Sequence, residues 1–324
     1  MSRSSGSSAK HFLRNMALPS PVKRWLKRLA IATIALLLLV ASLIGYGWWY
    51  YHPAYSRIDG IVYGTRHGRE LTMDVFQPSK PNGLGVVFMV SGGWKSKRPG
   101  ETEPWILAPL LRRGYTVFAV CHVSQPDALI PEIIEDVNRG VRFIKYHAAE
   151  YDIDPDRLGV TGGSAGGHLS LMLATRGSEG PSDSDDPIDR MNSSVKATAI
   201  FYPVTDLLNL NGSTEDPGDG GPPKSFVKAF GDAANDMDAW KAVGKECSPI
   251  YYVDEKLPPI LIYHGDSDTL VPLDQSQRFQ QVAQKANRNV KVVVHRGGNH
   301  GWATMFLDII AFANWFDQHL QVKQ

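Results

Sequence analysis

The sequence predicts an α/β domain, a mostly parallel sheet with helices on both faces and an antiparallel hairpin at its N-terminal edge, preceded by a single transmembrane helix. Three observations predict it. Short apolar runs alternate with helix-period segments between residues 58 and 320. Two segments of alternating polarity stand ahead of them, and an uncharged run of 23 residues stands ahead of those.

That run, residues 29–51 (LAIATIALLLLVASLIGYGWWYY), comes first in the chain. At ~1.5 Å per residue a helix of this length reaches about 34 Å, enough for a hydrocarbon core of ~30 Å. Residues 1–28 are read as a basic, disordered cytoplasmic tail, its first 20 residues rich in Ser and small residues. Trp48, Trp49, Tyr50 and Tyr51 suit the opposite headgroup layer. An uncleaved anchor then exports residues 52–324 to the periplasmic or extracellular side. The alternative is a cleaved signal peptide, with Gly45 and Gly47 as small residues for a peptidase, which would release the domain.

Seven of the 34 basic residues fall within residues 1–28 and no acid precedes Asp59, so residues 52–324 carry 27 basic against 33 acidic residues, a net charge of −6. A body of that sign has no general attraction for phosphates, and nucleic-acid binding is excluded on that ground. Cys121 and Cys247 are too few for a disulfide scaffold and lack paired metal-ligand spacing.

Segments 58–65 and 70–76 alternate in polarity across a turn at His67 and Gly68, as an edge hairpin does. Apolar runs follow at 85–90, 115–121, 157–161, 197–201, 259–263 and 290–294, each ending in a turn signal. Such continuous runs fit strands buried on both faces. Ile133, Val137, Val141 and Ile144 fall on one helical face, and 165–175, 274–286 and 303–320 also read as helices. Residues 206–247, with NLNGSTEDPGDGGPP, read as an insertion lying like a cap over one face of the sheet. Its acids lack the spacing of a calcium loop.

The chemistry enters where the strand RLGVT runs into Gly162-Gly163-Ser164-Ala165-Gly166, followed by the helical HLSLMLAT. G-x-S-x-G is a short pattern, and its strand-turn-helix setting is what identifies a nucleophile elbow. The turn brings the residues two before and two after the serine together, so Gly162 and Gly166 avoid a collision. The Ala165 amide, opening the helix, can donate to an oxyanion. A serine needs a base, and the base an orienting acid. Asp268 lies past PILIY in HGDSDTLVP, and His300 past the last strand in RGGNHGW. The chain order Ser164, Asp268, His300 is the one this topology gives. Asp206 and Asp266 compete for the acid, and His295, His264 and His168 for the base. His168 is expected to pack on its helix. Trp94 and Trp302 can line an acyl or aryl pocket or serve as plain packing.

The stretches VTGGSAGGHLSLMLA, HGDSDTLVP, GGNHGW and IIEDVNRGVRFIK resemble the α/β-hydrolase family, specifically its esterase/lipase branch of carbohydrate-acyl esterases and arylformamidase-like enzymes. The resemblance covers about residues 57–320. It implies an α/β-hydrolase fold with Ser164 as nucleophile, Asp268 as acid and His300 as base. The branch also carries an H-G-G-G-W motif supplying oxyanion amides. Here the matching stretch is Val90-Ser91-Gly92-Gly93-Trp94, with the motif's histidine and first glycine replaced. Main-chain amides of Gly92, Gly93 and Trp94 can still serve.

The expected activity is hydrolysis of carboxylic esters through an acyl-enzyme, with a small-molecule ester as substrate and no cofactor or metal. A serine peptidase or amidase on the same fold, or an inactive membrane-anchored binding protein, are the other readings.

Overall fold

The computed structural model describes residues 20–321, and two units divide at Tyr51 and His52. The first is helix α1, Ser20–Tyr51, apolar and long enough to cross a membrane, with none of its residues buried in protein. It begins nine residues before the uncharged run expected to form it. Lys and Arg are good helix formers and Pro21 is tolerated in a first turn, so nothing in the chain stops the helix at residue 29. Residues 20–28 of the tail expected to be disordered are helical, and residues 1–19 lie outside the described residues.

The second unit is built on an eight-stranded sheet in the order β1-β2-β4-β3-β5-β6-β7-β8. Strands β1 (Tyr55–Arg66) and β2 (Arg69–Pro78) form the antiparallel edge hairpin, and β2 pairs antiparallel with β4 (Thr116–Val120). From there β3 (Gly85–Met89), β5 (Leu158–Gly163), β6 (Ala197–Phe201), β7 (Ile260–Gly265) and β8 (Val290–His295) are all parallel. His67 and Gly68 close the hairpin with φ of 50° and 74°, the positive values a two-residue turn between twisted strands requires.

Side chains of the central strands alternate between two apolar layers. Val87, Phe118 and Val120 face α3 (Ile130–Tyr146) and α4 (Ala165–Arg176), where Ile133, Val137, Val141 and Ile144 form the predicted stripe. Val86, Val117 and Ala119 face the other way, toward α2 (Ala108–Arg112) and α7 (Met305–Leu320). Helix α6 (Asp274–Lys285) covers β7 and β8 through Phe279 and Ala283. Burial on both faces is why these strands read as unbroken apolar runs.

The insertion holds more regular structure than its Gly, Pro and Asp content predicts. It contains a 3₁₀ segment, Lys224–Asn235, and helix α5, Met237–Glu246. Asp236 starts α5 by accepting the amides of Asp238 and Ala239. Trp240 of α5 is fully buried with Phe230, and its indole donates to the Gly220 carbonyl at 2.9 Å.

Candidate active site

Ser164 sits in the turn between β5 and α4 with φ 55° and ψ −122°, a conformation that costs an L-residue about 1–3 kcal/mol. The surroundings impose it. A Cβ on Gly162 would lie 2.6 Å from the Gly166 backbone, and one on Gly166 would lie 2.6 Å from the Met89 carbonyl oxygen. Strand β5 and helix α4 can approach this closely only through glycine.

The Ser164 hydroxyl lies 2.8 Å from His300 Nε2, and His300 Nδ1 lies 2.7 Å from Asp268 Oδ2. A carboxylate only accepts, so Nδ1 carries the ring proton and Nε2 presents its lone pair to the serine hydroxyl. The three residues follow β5, β7 and β8, so parallel strands deliver them to one edge of the sheet. Tyr202, just past β6, lays its ring 4.3 Å from the His300 ring.

Asp268 is buried, and its own loop satisfies it. Oδ1 accepts the amides of Leu270 at 3.0 Å and Val271 at 2.9 Å. The Nε2 of His264 stands 3.5 Å from Oδ2. Burial works to raise the Asp268 pKa, but His264, His300 and the Val271 amide outweigh it and hold the carboxyl well below the usual carboxylate range. His264 is itself fully buried, bonding Ser276 Oγ and the Val271 carbonyl at 2.7 Å each.

The competing residues are engaged elsewhere. Asp206 pairs with Arg278 and accepts from the Tyr251 hydroxyl. Asp266 accepts the Gly297 amide. His295 ends β8 and stacks on Trp302, whose indole donates to Asp308. Trp302 is therefore packing. Trp94 both packs and lines the cleft that holds Ser164.

Gly92 and Lys95 exchange two backbone hydrogen bonds of 3.0 Å, closing a tight turn over Gly93 and Trp94, whose φ values are 56° and 55°. Two positive values are the mark of a type I′ turn. This corrects the expectation for Gly92: its amide is spent on Lys95 and is not free for an oxyanion. The amides of Gly93 and Trp94, at the centre of the turn, make no hydrogen bond among the described residues. Ala165, first in its helix, has no carbonyl one turn back to bond. Gly93, Trp94 and Ala165 line one cleft with Ser164. The cleft encloses about 550 Å³, partly open to solvent, and its wall is largely apolar, with Val204, Leu207, Leu210 and Phe226.

Sequence reading did not reach the supports of this turn. The Gln125 amide donates to the Trp94 carbonyl at 3.0 Å, and Gln125 Nε2 to the Gly93 carbonyl at 3.3 Å. Nor did it reach Ser91 and His122, whose hydroxyl and Nε2, like those of Ser164 and His300, are in contact, here at 2.9 Å. Their sole signal is that each stands just past one of two adjacent parallel strands. Among the described residues no cluster of three or more His, Cys, Asp or Glu is arranged to hold a metal ion.

The sequence profile of the BD-FAE family matches residues 73–282. The chain is 29% identical to Esterase LipQ of Mycobacterium tuberculosis over 72% of its own length and 55% of that protein. It is 25% identical to a probable isoprenylcysteine alpha-carbonyl methylesterase of Arabidopsis thaliana, over 91% of this chain and 63% of that one. It thus spans between half and two thirds of these curated relatives. A solved structure, a truncated form of a carbohydrate esterase from gut microbiota, superposes with a TM-score of 0.63 at 25% identity, covering 82% of this chain and 99% of that one. A profile match running from β2 into α6, together with the esterase fold of that neighbour, places the chain in the BD-FAE family of α/β-hydrolase esterases.

Proposed function

We propose that the protein is a serine-dependent carboxylic ester hydrolase working through an acyl-enzyme. Ser164 Oγ attacks the ester carbonyl while His300 Nε2 takes its proton, and Asp268 orients the imidazole and stabilises its cation. The amides of Gly93, Trp94 and Ala165 receive the oxyanion. Collapse of the tetrahedral intermediate expels the alcohol, which leaves with the proton from His300. Water, deprotonated by the same histidine, then attacks the acyl-enzyme and frees the acid. The observation that carries this reading is the pair of contacts from Ser164 to His300 and from His300 to Asp268, at 2.8 and 2.7 Å.

The apolar cleft wall favours an acyl group without charge. Esterase names among the relatives support ester over amide hydrolysis. Helix α1 supports a membrane-anchored enzyme, with the basic residues before the apolar run on the cytoplasmic side and the catalytic domain exported.

The test is the full-length chain in detergent with p-nitrophenyl acetate and butyrate, with and without Ser164→Ala. Loss of the serine should lower kcat by about 10⁴-fold or more. Ester hydrolysis that survives the substitution overturns the mechanism.

A further inference from the structure

The loop that would receive the oxyanion departs from the motif it resembles, and it places a tryptophan where the backbone favours glycine. Trp94 adopts φ 55° at the second central position of a type I′ turn. Something must hold it there, and the side chain provides the hold. The Trp94 indole Nε1–H donates to His168 Nδ1 at 3.1 Å, and the two rings meet edge to face at 5.4 Å. An indole N–H can only donate, so His168 accepts at Nδ1 and carries its proton on Nε2. That proton goes to the Cys247 carbonyl at 2.6 Å.

The chain of contacts therefore joins three parts of the domain: the turn after β3, the second turn of the elbow helix α4, and the residue that ends α5 in the insertion. Trp94 and His168 are both buried. The indole also meets Phe226 edge to face at 5.1 Å, and a Cβ on Gly93 would lie 3.1 Å from that same Phe226 ring. Gln125 donates to both carbonyls of the turn, from its amide to Trp94 and from Nε2 to Gly93. With carbonyls held by Gln125 and the side chain by His168, the turn has little freedom to rotate the central amides away from Ser164.

We infer that His168 is a positioning residue for catalysis: by accepting from the Trp94 indole it fixes the turn whose Gly93 and Trp94 amides stabilise the oxyanion. The inference rests on the serine mechanism proposed above. It assigns the histidine no proton transfer and no contact with substrate. Its effect belongs to the transition state, because the amides matter most when charge has moved onto the carbonyl oxygen.

Trp94→Phe keeps an aromatic side chain and removes the N–H donor together with the five-membered part of the indole, so the His168 variants isolate the hydrogen bond from the lost volume. In the full-length chain, with cooperative melting confirming the fold, kcat should fall about tenfold or more while KM stays within about twofold. His168→Asn retains an acceptor near the position of Nδ1 and should keep more kcat than His168→Leu. Trp94→Phe combined with His168→Leu should be no slower than His168→Leu alone, because both break one link. Should the leucine variant fail to fold, Trp94→Phe decides alone. A folded Trp94→Phe variant with wild-type kcat, or a change confined to KM, overturns the inference. If that variant is wild-type while Ser164→Ala is inactive, the clamp is wrong and the serine mechanism stands. Activity in Ser164→Ala removes both.

Discussion

Two serine–histidine contacts made through Nε2 in this domain have nearly equal length, and they differ in the oxygen behind the imidazole and in exposure to solvent. Ser164 meets His300 at 2.8 Å, and Ser91 meets His122 at 2.9 Å. Each imidazole gives its Nδ1 proton to an oxygen, Asp268 Oδ2 at 2.7 Å in one case and the Val123 carbonyl at 2.8 Å in the other. The oxygen behind His300 carries a full charge and the one behind His122 does not. His300 is partly open, with 22% of its side chain exposed. His122 is buried, and burial lowers its pKa to about 4. A base that weak, with no countercharge for its cation, cannot draw a proton from a serine at neutral pH. A Ser–His distance is therefore a weak criterion, and the third partner and the solvent decide the chemistry.

The largest expected effect separates the two serines. Ser164→Ala should cost about 10⁴-fold or more in kcat, while Ser91→Ala should stay within a few-fold of wild type. Equal losses measured on p-nitrophenyl butyrate would erase the distinction. Next comes the orienting charge: Asp268→Asn keeps the shape, removes the countercharge and favours the wrong tautomer, for about 10⁴-fold in kcat. A variant within tenfold of wild type would mean that the carboxylate adds little beyond what a neutral oxygen gives.

Acid stability probes the buried imidazoles. Burial holds both His122 and His168 near a pKa of about 4, against an ordinary value of 6.5. Between those values the unfolded chain binds protons that the native state does not, so stability is full above about pH 6.5 and falls on acidification toward pH 4. Each histidine should account for about 3 kcal/mol over that window. Urea melts at pH 7 and 4.5 would read it, and a pH-independent midpoint would contradict the neutral burial of both rings. The smallest effect is Ser91→Ala on stability at pH 7, about 1 kcal/mol for a buried imidazole nitrogen left without its donor. A melt unchanged to within a few tenths of a kcal/mol would indicate that another group takes the place of the hydroxyl.

The parallel strands, their order in the chain and the turns that follow them were legible because burial on both faces writes unbroken apolar runs, and glycines mark where the chain turns. The elbow is the clearest instance: Gly162 and Gly166 announce a close approach that the structure shows directly. Helix α5 was not read, although Asp236, Trp240 and Val243 carry its cap and apolar spacing, because the Gly- and Pro-rich stretch before it dominates the composition. The turn at Gly93 and Trp94 was legible as a motif but not as a conformation. Sequence cannot say that Gly92 closes onto Lys95, because the reason lies in supports from Gln125 and His168, 31 or more residues away. The Ser91–His122 pair escaped notice for a related reason. It exists only because β3 and β4 are neighbours, and strand order is a tertiary fact.

The loop around Asp268 has one consequence for the moment of reaction. Its amides and the imidazole of His264 belong to residues 264–271, so they surround the carboxylate independently of where His300 stands. In the proposed mechanism, the positive ring that appears in mid-reaction enters an electric field already oriented toward it, and no dipole has to swing round to meet the new charge. In water that swing is a large part of what makes charge separation slow. Here it is completed when the chain folds, before any ester arrives.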